Sequence, residues 1–314
     1  MTLELGFFIP PVPPAEFVNM AVRAEEVGYD FVTCDDHMIY PFGAPFGEDE
    51  ENYGIHDAWT AMTYLAGVTS RISVSHMVLV TTFRGPGLLA KMGATLDLFS
   101  EGRMDLSVGA GWFEGEFNAF NFPWEDHKGR LEREREAVQI IKSLWTEPRV
   151  SFEGKYYKLD NAEITPKPFQ KPNPPIWIGG DSKRSMKLAA DLGDGWLVHS
   201  HKPDGIGRMF NRIRPMLGDK AENFGLGMAA FVIMGKDPDA ATQKMKKMIS
   251  PEVWERFQMA DIRFEINHRI SGNPQQCLDR IKEYEKAGMN RLICIFLDPD
   301  DSELFARDVM PHLR

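Results

Sequence analysis

Two aspartates and a histidine, Asp35, Asp36 and His37, follow directly on an apolar run at residues 31–34. Ionisable groups are costly to bury, so at this step either a strand simply ends or an enzyme places its chemistry. An imidazole beside two carboxylates is suited to general acid or base work, because neighbouring charge easily moves its usual pKa of about 6.5. His199 and His201 stand two residues apart. That spacing puts both on one side of a strand end, where Asp35 or Asp36 would complete a metal set of the kind barrel hydrolases use. Two glycine groups add a third kind of chemistry. Gly179 and Gly180 precede Ser182, Lys183 and Arg184. Small residues before a helix let a ligand approach the backbone, and the free N–H groups of the first turn favour an anion; a plain tight turn would use the same glycines. In "GAGW", Gly109, Ala110 and Gly111 leave room for a flat ring and Trp112 supplies a wall, unless the indole only packs. No GxGxxG is present, so a Rossmann dinucleotide site is not indicated.

These residues need elements to hold them. Short runs rich in β-branched and aromatic residues predict strands at 3–9, 31–34, 72–80, 104–108, 175–178, 195–199, 226–234 and 291–297. Helical patterns lie between them. Phe17, Ala21 and Ala24 share one face of a helix that Gly28 would stop. Leu131, Val138, Ile141 and Trp145 form the stripe of another, and its alternating Glu and Arg residues read as a solvated, ion-paired face. Eight strands alternating with helices fit a (β/α)8 TIM barrel, with an open doubly wound sheet as the competitor. On a barrel the C-terminal strand ends form one rim, and that rim collects Asp36, His37, Trp112, Gly179, Gly180, His199 and His201. Residues 38–55 and 146–174 exceed the bare alternation. They read as insertions after the second strand and after the helix following the fourth, the later one with a short hairpin around Glu153 and Gly154, within a single domain over 1–314. The aromatics Phe42, Phe46, Tyr53, Trp59, Trp112 and Phe113 suggest an apolar pocket under the first insertion, which would act as a lid.

A formal net charge of −10 and a pI of about 5.4 argue against a nucleic-acid footprint, which needs a basic stripe. Cys34, Cys277 and Cys294 give neither a disulfide framework nor zinc spacing, which suits a reducing cytoplasm. The N-terminus lacks the pattern of a signal peptide, and no run approaches a membrane span.

Longer stretches then resemble a known family. "AEEVGYDFVTCDDH", "RGPGLLAKMGATLDLFSEGRMDLSVGAGWFEGEF", "EPRVSFEGKYYKLDNAEITPKPFQKPNPPIWIGG", "AADLGDGWLV" and "GNPQQCLDRIKEYEKAGMNRLICIF" occur in the order seen in the bacterial-luciferase-like flavin and deazaflavin oxidoreductases. The resemblance covers nearly the whole chain. It implies a barrel, usually a homodimer, that binds FMN or the deazaflavin coenzyme F-420 at the C-terminal rim. It implies a non-prolyl cis peptide near Met77 and Val78 behind the cofactor ring, with Val80, Ala110, Gly111 and Trp112 around it. Gly179, Gly180, Ser182 and Lys183 would hold the cofactor phosphate, Asp36 would position the cofactor, and His37 would exchange a proton with substrate. In the deazaflavin-linked sugar-phosphate and secondary-alcohol dehydrogenases a catalytic glutamate follows "GxG". Here Trp112 stands in that place, with Glu114 and Glu116 nearby but out of register. The resemblance therefore points away from alcohol oxidation of that type and towards reduction of a C=C, C=N or C=O bond. Phe42, Trp112, His199 and Lys202 would meet the substrate. Lys202 falls where the sugar-phosphate enzymes hold phosphate, but His199 replaces a smaller residue, so a phosphorylated substrate is not implied. Two other readings remain: an FMN-dependent monooxygenase served by a separate flavin reductase, and a flavin-binding barrel without catalysis.

Overall fold

Phe7, Val32 and Cys294 stand side by side in three parallel strands, β1 (Glu4–Phe8), β2 (Phe31–Thr33) and β12 (Arg291–Ile295). Parallel strands are covered on both faces, so they read as continuous apolar runs rather than alternating ones. The clearest case is β10 (Gly225–Met234), buried at all ten positions and paired in parallel with β12 and with β11 (Ile270–Gly272). The computed structural model describes residues 2–39, 54–249 and 268–313. The chain divides into two units, one made of Met1–Thr33, Gly54 and Leu197–Arg314 among the described residues, the other of Cys34–Ile39 and Ile55–Trp196. None of the described helices is long and apolar enough to cross a membrane.

The first unit carries those strands with α1 (Pro14–Val27), α7 (Pro203–Leu217), α8 (Pro238–Met248), α9 (Pro274–Lys286) and α10 (Pro299–Asp308). Helix α1 buries Phe17, Ala21 and Ala24 and stops at Gly28, as its sequence implies. β11 has no counterpart among the predicted strands, because three residues ending in glycine are too short to show a period.

The second unit holds the parallel set β4 (Leu79–Val80), β5 (Leu106–Gly109) and β8 (Ile176–Gly179). The strand predicted over 72–80 is two short pieces, β3 (Ser73–Val74) and β4. Between them the backbone leaves the ladder, and Met77 N–H donates to the Cys34 carbonyl instead. Helices α2 (Ala58–Val68), α3 (Pro86–Phe99), α4 (Glu114–Ala119), α5 (His127–Thr146) and α6 (Lys183–Leu192) complete the unit. The hairpin β6 (Val150–Glu153) and β7 (Lys158–Ala162) lies where the second insertion predicts one. Helix α5 packs on α3, with Trp145 Nε1 donating to the Ala90 carbonyl at 2.8 Å. Its charge run is only in part the solvated face expected of it. Lys128 pairs with Glu132 and Arg135 with Asp191 at the surface, but Arg130 and Glu134 are buried. The reason is geometric: position 134 falls in the 3–4 spacing of Leu131, Val138, Ile141 and Trp145, so it points where they do.

Candidate active site

Asp36 leaves the end of β2 and is buried, yet each of its oxygens is engaged. Val80 N–H donates to Oδ2 at 2.8 Å, and Arg84 donates to Oδ2 at 2.8 Å and to Oδ1 at 3.0 Å. Burial raises the Asp36 carboxyl above its ordinary value, against the pull of the Arg84 and Val80 bonds. Arg84 also reaches Asp57, the residue that caps α2 by accepting from Thr60 N–H. Asp36 therefore ties the β2 end to Val80, two residues past Val78, and the peptide bond between Met77 and Val78 is cis.

One residue on, the half-buried His37 presents Nδ1 to Glu116, at 3.0 Å from Oε1 and 3.2 Å from Oε2. Glu116 is 1% exposed and lies in the first turn of α4; its Oε2 also accepts Met38 N–H at 2.9 Å. Burial alone would lower the His37 pKa. The bond to Glu116 and the charges of Asp35, Glu116 and Asp36 outweigh it, and the pKa is raised. Loss of solvation pushes the neighbouring Asp35 carboxyl up to about 6. The Trp112 ring meets the imidazole edge-on, 5.7 Å between centroids at 86°, and keeps 47% of its surface exposed.

The glycines lie under Val78. A Cβ on Gly109 would come within 2.6 Å of the Val78 side chain, and one on Gly179 within 3.1 Å, so no larger residue fits either strand end while Val78 keeps its place. Gly180 has φ 114°, a conformation other residues rarely adopt. Its carbonyl accepts from Ser185 Oγ at 2.8 Å and from Trp196 Nε1 at 2.6 Å. Ser182 caps α6 by accepting from Ser185 N–H at 3.0 Å, and Lys183 and Arg184 are exposed in the first turn. Open helix N–H groups, a capping hydroxyl and two cations are a donor set that fits a cofactor phosphate. Arg130 fixes the facing turn: it donates to the Gly111 carbonyl at 3.1 Å and stacks 3.9 Å over Trp124.

Thus Asp36, His37, Met77, Val78, Val80, Ala110, Gly111, Trp112, Gly179, Gly180, Ser182 and Lys183 all fall in one unit. Val80 is buried there, with its side chain against Gly111. Trp59, expected to line a pocket, instead lies buried and stacked on His76 at 5.5 Å and 8°. His199 and Lys202 belong to the other unit, after β9 (Gly195–Val198) and at the N-cap of α7. His201 stacks on His268 at 6.2 Å. Phe42 and most of the proposed lid lie outside the described residues. Among the described residues no group of three or more His, Cys, Asp or Glu could hold a metal ion. Two residues of this cluster carry no signal in the sequence that marks them for it. Arg84 shows nothing but its charge in "FRGP". Glu116 is out of register with the dehydrogenase glutamate in sequence, and the first turn of α4 brings it to His37.

Residues 4–291 match the family described as luciferase-like monooxygenase. An FMNH2-dependent dimethylsulfone monooxygenase of Pseudomonas putida is 27% identical over 94% of this chain and 87% of its own. An F-420-dependent glucose-6-phosphate dehydrogenase of Amycolatopsis mediterranei is 29% identical over 96% and 95%. The solved structure of an F-420-dependent secondary alcohol dehydrogenase, bound to an F-420–acetone adduct, superposes with a TM-score of 0.83 at 22% identity over the full length of both chains. That likeness shows the fold to be the (β/α)8 barrel that the alternation of elements predicts.

Proposed function

The chain belongs to the luciferase-like monooxygenase family, and the relatives named above are oxidoreductases; within it we propose a deazaflavin-dependent enzyme that reduces a small organic substrate. The observation that carries this reading is His37, an imidazole backed by the buried carboxylate of Glu116, beside the Val78 and glycine surface. Coenzyme F-420, when bound, supplies or receives the hydride. The residues of this chain do the rest. Gly179, Gly180, Ser182 and Lys183 would hold the cofactor phosphate, and Met77, Val78, Ala110, Gly111 and Trp112 would contact its ring. Asp36 fixes the Val80 backbone through its own bond. His37 exchanges the proton that accompanies the hydride, and Trp112 bounds the substrate on the His37 side. With Trp112 after "GAG", reduction of a C=C, C=N or C=O bond is preferred to alcohol oxidation. In this reading the enzyme is a homodimer.

The likeness to a dimethylsulfone monooxygenase favours a second reading, FMNH2 supplied by a separate reductase and used with oxygen. A substrate screen run twice separates them. Turnover with reduced F-420 under anaerobic conditions supports the first reading; product that appears only with FMNH2, with matching oxygen uptake, overturns it. A flavin-binding barrel without catalysis predicts that His37→Ala changes nothing. The proposed enzyme predicts unchanged cofactor binding and turnover lower by about 10²–10⁴-fold.

A further inference from the structure

We propose that Glu116 is a positioning residue: it fixes the tautomer of His37, so that Nε2 is the atom that exchanges the proton. The proposal rests on the reading above, but its geometry stands alone. Nδ1 lies within hydrogen-bond distance of both Glu116 oxygens, and a carboxylate accepts without donating. Nδ1 therefore carries a hydrogen in the neutral ring as well as in the charged one, and Nε2 alone gains and loses the proton. Glu116 is held for this task. Its Oε2 accepts Met38 N–H at 2.9 Å, so one carboxylate grips both the ring and the backbone just after it. The Trp112 edge limits the ring from another side. Helix α4 starts at Glu114, three residues past Gly111, which places Glu116 in its first turn. The "GAGW" stretch thus brings a carboxylate to His37 while an indole stands where the dehydrogenases carry their glutamate.

The charged groups acting on His37 are Asp35, Asp36 and Glu116, and Arg84 is bound to Asp36. Of these, Glu116 alone bonds the ring. Glu116→Gln tests this role because the amide oxygen can still accept Met38 N–H, while the amide N–H₂ can only donate to Nδ1. The tautomer should then invert, leaving the hydrogen on Nε2 and Nδ1 bare.

The measurement is nitrogen-15 NMR of the histidine rings in the full chain without cofactor, with His37→Gln identifying the signal. The wild type should show neutral His37 protonated at Nδ1. Glu116→Gln should show it protonated at Nε2, with a lower titration midpoint. An Nε2-protonated wild type overturns the proposal whether or not any variant folds, and so does a variant with unchanged tautomer and midpoint. In the enzyme carrying its cofactor, kcat should fall about 10²–10⁴-fold with KM little changed; an inverted tautomer with unchanged kcat also overturns it. If wild type turns over no substrate with either cofactor, the functional reading fails while the tautomer result still decides this one.

Discussion

His37 and His76 have opposite electrostatic fates within forty residues of sequence. His37 has a carboxylate on its ring; both ring nitrogens of His76 are buried without a partner among the described residues, and burial pulls its pKa down to about 3. A folded pKa below the unfolded value of about 6.5 means that the unfolded chain binds the proton first. The stability His76 allows is thus present above pH 6.5 and lost as pH falls towards 3, by roughly 2 kcal/mol at pH 5 at ~1.4 kcal/mol per pH unit. His76→Phe keeps a flat ring on Trp59 and removes the titration. Relative to wild type, its melting temperature should rise between pH 7.5 and pH 5; parallel curves would refute the assignment. Arg84 makes the other argument at this scale. Removing one partner of a buried ion pair costs about 3–5 kcal/mol, so Arg84→Ala should lose about that much in urea unfolding, with Asp36 left uncompensated. Arg84→Lys, which keeps charge but not the two-pronged bond, should lose less. Sequence made Asp36 and His37 legible because charge directly after an apolar run is unusual. It could not show Arg84 or Glu116, whose roles are contacts 48 and 79 residues away.

On helix α5 the element decides which charge is buried. Glu134 lies in the apolar stripe with neither carboxylate oxygen bonded to any of the described residues, and burial pushes its pKa up to about 8. Here the folded pKa is above the usual 4.5, so the fold binds the proton more tightly. Its stability is complete below pH 4.5 and declines as pH rises to about 8, by roughly 3 kcal/mol at pH 7. Glu134→Gln should therefore be more stable than wild type at pH 8 and close to it at pH 4.5, as chemical denaturation at the two pH values would reveal. Equal shifts at both would mean that the carboxyl is not titrating. The stripe was legible in Leu131, Val138, Ile141 and Trp145; its fifth member was not, because a charged residue in a charged run looks solvated until its register is counted. The break between β3 and β4 was hidden for a related reason: Ile72, Val74, Val78 and Val80 keep the strand pattern running through it, and a tertiary bond from Met77 to Cys34 is not a local signal.

For the whole molecule, alternation of strand and helix left a barrel and an open doubly wound sheet in competition, and the order of long motifs indicated the family and with it the barrel. The chemistry within that family is a narrower matter, since one barrel serves both FMNH2-dependent and F-420-dependent relatives. The central claim is that the Gly109, Val78 and Gly179 surface, with the α6 N-terminus, holds a deazaflavin. The most direct test is fluorescence titration of wild type and of Gly179→Val with F-420 and with FMN, fold being checked by circular dichroism in the same samples. A valine at 179 must displace Val78, whose side chain already lies 3.1 Å from where its Cβ would stand. The account predicts micromolar binding of F-420 to wild type, weaker binding of FMN, and at least a tenfold loss in the folded variant. Tight binding of FMN alone, or a folded Gly179→Val that binds F-420 as well as wild type, would contradict it.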